Sequence, residues 1–153
     1  MATLSKRMKR TPNSTVTQFE LTCRSSTREL LRVEKFLQSM GKRAKLDDGA
    51  VYRLLVAGTE AVNNAILHGN GGDEGKQVLI KCSITSRLLR LTVVDEGTGF
   101  DADHLDNPLD EKNLMKDHGR GVFLMRSLMN SVRFRKLRAG SAVEMTLELP
   151  VSV

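Results

Sequence analysis

The chain has 153 residues, enough for one domain with a sizeable core and too few for two ordinary ones. At 40% hydrophobic and 27% charged residues it has the make-up of a soluble globular protein rather than a disordered one, and with no Trp, one Tyr and five Phe its core must be built of Leu, Val, Ile and Met. The formal charge of +6 is concentrated, because Lys6, Arg7, Lys9 and Arg10 supply four charges and leave +2 for the rest; neither a basic stripe nor interleaved aromatics is visible, so no direct nucleic-acid partner is expected.

Residues 1–13 read as a flexible basic tail closed by Pro12, and 14–153 as a single domain. Val16, Phe19, Leu21 and Cys23 suggest a strand. Ser25, Ser26 and Thr27 offer N-caps for a helix bearing Leu30, Leu31, Val33, Phe36, Leu37 and Met40, with Gly41 as its stop. Asp47 and Asp48 would cap a longer second helix, apolar at Val51, Leu54, Leu55, Ala61, Val62 and Ile66, which ends at the breaker run Gly69-Asn70-Gly71-Gly72. Strands over 76–86 and 88–95, joined at Ser86-Arg87, form an antiparallel hairpin. About twenty residues without periodicity follow, a length that marks a functional lid or disorder. A third helix opens after Gly119-Arg120-Gly121, and strands near 132–138 and 142–149 complete the chain. The expected fold is an α/β (α+β) two-layer sandwich, a mixed, mostly antiparallel sheet with helices on one face.

Cys23 and Cys82 lack metal-ligand spacing and sit in apolar segments, as buried thiols of a reducing compartment do. No apolar run approaches the ~20 residues that span a bilayer. The basic start is not followed by a signal-peptide core, so a cytoplasmic protein with no membrane partner is expected.

Three clusters of residues carry chemistry. On the second helix Glu60, Asn64 and His68 follow one another at intervals of four, which aligns a carboxylate, an amide and an imidazole on one face, with Asn63 beside them. Taken alone, such a row is more often a solvated polar stripe. No P-loop of the form GxxxxGK[ST] is present, but two other glycine pairs are. Asp95-Glu96-Gly97-Thr98-Gly99 follows directly on a strand, and Gly119-Arg120-Gly121 precedes a helix. Glycines admit close backbone approach to a ligand, and a helix N-terminus presents free N–H groups to phosphate. Either pair alone is an ordinary turn.

Together, a helical ExxxN, a strand ending in DxGxG and a GxG opening a helix resemble the N, G1 and G2 boxes of the GHKL ATP-binding superfamily, over about residues 60 to 131. Within it, Glu60-Ala61-Val62-Asn63-Asn64-Ala65 with His68-Gly69, and Gly119 through Met125, are most similar to the bacterial anti-sigma-factor serine/threonine kinases.

The resemblance implies ATP and Mg²⁺ as cofactors. It makes Asn64 the magnesium ligand, Glu60 the general base, and Asp95 the acceptor of the adenine amino group. It sets Gly97 and Gly99 beneath base and ribose, and Gly119, Arg120, Gly121 and Val122 by the phosphates, with His68 near the phosphate side. Residues 101–118 would be the ATP lid, with Lys112, Lys116 and Arg120 toward its phosphate end. The family often begins its last strand with Gly-Thr, whose hydroxyl helps hold adenine through water; here Gly140-Ser141 stands nearby, where serine could substitute, and the register is left open. The implied activity is transfer of the γ-phosphate to a serine of an anti-anti-sigma (STAS-type) partner, with sequestration of a sigma factor by a homodimer. Two readings compete with it. One is a nucleotide-gated protein-binding module with negligible turnover. The other is the ATP domain of a sensor kinase, for which no phosphoacceptor hairpin is seen in the sequence.

Overall fold

Alternation sets the sheet. The computed structural model describes residues 4–11, 14–97 and 117–150, with the backbone alone at 6–11, 14 and 117–119. Strand β3 (Gln77–Ile84) buries Val78, Ile80 and Cys82, and β4 (Leu88–Asp95) buries Leu89, Leu91, Val93 and Asp95, so each presents every second residue to one face. Thr85 closes the hairpin between them: its Oγ1 accepts from Leu88 N (3.0 Å) and its N–H donates to Leu88 O (2.9 Å). On β4 the alternation places a carboxylate, Asp95, at the end of an otherwise apolar inward row.

Among the described residues six strands form one sheet in the order β1-β2-β3-β4-β6-β5, with β5 at Ser131–Leu137 and β6 at Gly140–Glu148. Every pairing is antiparallel, where a mixed sheet was expected. The reason lies in the last crossover. It sets β5 in the same direction as β4, but β6 inserts between them and pairs with both, so no parallel neighbours meet.

Residues 4–11, expected to belong to a flexible tail, form strand β1 (Leu4–Thr11), paired with β2 (Ser14–Arg24) from Leu4↔Leu21 to Thr11↔Ser14. A run of charge suits a disordered segment. It is equally the composition of a sheet edge, where Lys and Arg discourage further strand addition. On the outer face Glu144 receives both Arg90 (3.3 Å) and Arg135 (3.7 Å), a solvated ionic surface of small energetic weight.

The helices cover the other face. Ser26 accepts from Arg28 N (3.3 Å) to start a 3₁₀ turn (Thr27–Glu29) that runs into α1 (Leu30–Arg43). Gly41 does not end this helix. It lies inside it and is buried, where a methyl group would stand 3.0 Å from Val51 Cγ2, so its role is close packing of α1 on α2. The stop comes later, at Lys45, which takes the left-handed conformation (φ 55). Asp47 caps α2 (Asp48–Asn64) by accepting from Ala50 N at 2.8 Å. Asp47→Ala should therefore cost about 1 kcal/mol, read as a lower urea midpoint with an unchanged m-value.

α3 (Asp117–Leu128) packs on α2, and Arg53 Nε donates to Leu128 O at 2.6 Å, closing its C-terminal end. Val33, Leu37, Met40, Leu54, Val62 and Met125 meet the strand residues in one apolar core. Cys23 and Cys82 lie in it, and burial pushes their thiols up to about 11 and about 12, which keeps both protonated and unreactive. No described helix is long and apolar enough to cross a membrane.

Candidate functional site

The site is built where α2 runs out. After Asn64 the helix loosens into a π turn, Ala65–Gly69, closed by the Asn70 N–H on Ala65 O (2.8 Å). Such turns insert one residue and redirect the chain, and they recur at functional positions. The freed carbonyl of Ile66 accepts from Gly72 N (2.7 Å) and from the buried Ser25 hydroxyl (3.3 Å). Gly71 and Gly72 then reverse the chain at φ +62 and +71.

The redirected backbone meets the end of β4. A methyl group on Gly97 would lie 1.4 Å from Gly69 O, and one on Gly69 would lie 2.3 Å from Asp95 Oδ2. Only glycine at both positions lets the π turn sit against the strand end. Asp95, 5% exposed, is hydrogen-bonded through both oxygens: Oδ1 accepts from Gly97 N (3.0 Å) and Ser141 N (3.2 Å), and Oδ2 accepts from Ser141 Oγ (2.7 Å). Burial of a carboxylate is tolerated on such terms. Those bonds use three acceptor positions and leave capacity for one more donor. Beside the carboxylate lies a narrow slot walled by Ala61, Ala65, Val93, Met125, Phe134 and Val143, of about 20 Å³. That is room for roughly one water, so a purine would enter only with movement of its walls.

On the other side of Asn64 an open cleft of about 410 Å³ lies between α2 and α3, lined by Glu60, Asn63, Asn64, Leu67, His68, Arg120, Gly121 and Leu124. Asn64 borders both slot and cleft. A methyl group at position 121 would lie 2.8 Å from Glu60 Oε2 and 3.2 Å from Asn64 Nδ2, so both side chains reach the same point on α3. Asn64 is buried, and its amide nitrogen has no hydrogen-bond partner among the described residues. An unpaired buried amide is costly. Rotation of the amide by half a turn offers the carbonyl oxygen in its place.

The structure thus brings Glu60, Asn63, Asn64, His68, Arg120 and Gly121 around one cleft, while Asp95 borders the slot on the other side of Asn64 and holds Gly97 through its N–H. Gly119 lies in the first turn of α3, which starts at Asp117; the glycines stand inside the helix rather than ahead of it, and the last two residues of the expected lid are helical. Val122 turns into the core at 2% exposure and does not line the cleft. Gly99 and residues 101–116 lie outside the described residues.

Of two further residues at the site, one is offered by the sequence without its register and the other is not evident from it. Ser141 faces Asp95 in register, which settles the strand alignment that the Gly140-Ser141 pair leaves open. Asn70 stands in a breaker run, yet it is buried and its side-chain amide makes two hydrogen bonds. The signal for it is slight: an Asn between two glycines, directly after the helix.

A family model described as histidine kinase-like ATPase domain matches residues 23–147. The chain is similar to the serine-protein kinase RsbW of Listeria innocua, at 27% identity over 103 residues, covering 63% of this chain and 66% of that protein. RsbW of Bacillus subtilis is 31% identical over 99 residues, 61% of each chain. The anti-sigma F factor of Oceanobacillus iheyensis is 32% identical over 97 residues, 61% of this chain and 66% of its own length. In each case the match takes in slightly less than two thirds of the relative.

Proposed function

Because the chain belongs to the histidine kinase-like ATPase domain family, a branch of the GHKL superfamily, we propose that it is an ATP-dependent serine/threonine protein kinase of the anti-sigma-factor kind. Its partners would be an anti-anti-sigma protein bearing the acceptor serine and, in the other state of the switch, a sigma factor. The names of its relatives, serine-protein kinase and anti-sigma factor, support that assignment. The carrying observation is the Asn64 amide, buried and unpaired among the described residues at the junction of an apolar slot and a polar cleft.

In this reading the adenine enters the slot and its amino group donates to Asp95. The triphosphate runs past Asn64 into the cleft that Arg120 and His68 help to line. Asn64 supplies one neutral amide oxygen to magnesium, and that suits an ion which takes its remaining ligands from waters and phosphates. Bound magnesium would neutralise charge on the β- and γ-phosphates. Glu60 takes the proton of the attacking serine as its oxygen bonds to the γ-phosphorus and the bond to ADP breaks.

Transfer from labelled ATP with magnesium to a cognate partner tests the proposal. Tight partner binding with no label transferred would favour the nucleotide-gated module. The base-reading role has its own test. In Asp95→Asn one acceptor oxygen becomes a donor, and Ser141 and Gly97 compete for the other. ATP affinity by calorimetry should fall roughly 10–100-fold. Unchanged affinity would remove Asp95 from the site.

A further inference from the structure

We infer that Asn70 is a positioning residue for nucleotide recognition: it latches the turn carrying Asp95 onto the end of α2 and so sets the selectivity for an amino-bearing purine. The inference rests on the proposed ATP site and adds a residue that touches neither base nor phosphate.

The geometry is specific. Asn70 is 3% exposed. Its Oδ1 accepts from Glu96 N at 2.8 Å, and its Nδ2 donates to Gln77 O at 3.0 Å. A backbone N–H can only be met by the amide oxygen, and a carbonyl only by the amide nitrogen, so the two partners fix the orientation of the side chain. Its own N–H closes the π turn on Ala65 O. One residue therefore ties three segments: the helix end beyond Asn64, the first residue of β3, and the peptide that follows Asp95.

That peptide is where selectivity is decided. Glu96 lies between Asp95 and Gly97, and Gly97 N donates back to Asp95 Oδ1. The Glu96 side chain adds a tie, its Oε2 accepting from Gln77 N at 2.6 Å. Nothing covalent holds this turn against Gly69, and the contact depends on two glycines meeting backbone to backbone. With the Asn70 amide removed, Glu96 N–H and Gln77 O lose their buried partner, and the turn can draw away from the helix. The carboxylate would remain in the site and lose the fixed position on which reading a single amino group depends.

The experiment compares ATP with ITP, whose base has a carbonyl where adenine has the amino group. Titrations with magnesium are run on the full chain as wild type, Asn70→Ala and Asn70→Asp, well below each thermal midpoint. Wild type should prefer ATP. In Asn70→Ala, ATP affinity should fall about tenfold or more while ITP affinity moves less than about threefold, because ITP has no 6-amino group for Asp95 to accept from. Asn70→Asp keeps an oxygen for Glu96 N–H and should retain most of the ATP preference at reduced thermal stability. It also serves if the alanine variant fails to fold. A role in stability alone would lower the midpoint and leave the ATP-to-ITP ratio at its wild-type value in both variants, which would overturn the inference. Wild-type protein that binds neither nucleotide would defeat the underlying site assignment, and this inference with it.

Discussion

Asn64→Ala should lower phosphoryl transfer roughly 10³-fold and abolish the gain in nucleotide affinity that magnesium confers, yet leave the protein as stable as before. The pairing of these outcomes is the test. A buried asparagine that serves the fold does so through hydrogen bonds, and its loss strands a partner. The Asn64 nitrogen has none among the described residues, so truncation removes an unsatisfied group and strands no described partner of that nitrogen. The thermal midpoint should hold or rise. ADP titrated without magnesium should bind wild type and variant alike, and with magnesium only the wild type should gain. A variant that keeps the magnesium-dependent gain would show that the metal is held elsewhere. One with a clearly lowered midpoint would show that the amide serves the core.

The arrangement around Asn64 is partly legible in the amino-acid sequence. Spacing of four on a helix carries Glu60, Asn64 and His68 to one side whatever the rest of the fold does, and β4's alternation carries Asp95 inward with Leu89, Leu91 and Val93. Both are local rules. What local rules cannot show is which backbone segments meet. Gly69 and Gly97 look like turn residues, and their function is mutual contact between segments far apart in the chain, visible only once the π turn has redirected α2. Asn70 is hidden for the same reason, since its partners lie on β3 and beyond β4. Ser141 depends on the register of two strands far apart in sequence. Gly41 and the basic segment over 4–11 mislead in a different way. Each is a residue type with two common uses, and the fold employs the less expected one: helix contact in place of helix stop, and sheet edge in place of disorder.

Glu60→Gln divides chemistry from binding. Glutamine matches glutamate in size and keeps an oxygen where the carboxylate has one, so contacts that need an acceptor survive. Transfer of a proton from serine does not, because an amide is far too weak a base. Glu60 stands one helical turn before Asn64, and both converge on Gly121, so the proposed base lies beside the proposed metal ligand without having to hold the nucleotide. Phosphate transfer to the partner should therefore slow by roughly 10²–10⁴-fold while the dissociation constant for Mg·ATP stays within about twofold, since a tenfold change would require about 1.4 kcal/mol of lost binding. Single-turnover transfer of labelled phosphate with saturating ATP isolates the step. Unimpaired transfer would acquit Glu60 of proton removal. A fall in ATP affinity matching the fall in rate would make it a binding residue instead. Equal loss of partner binding would place it in the docking surface for the serine-bearing protein rather than in the reaction.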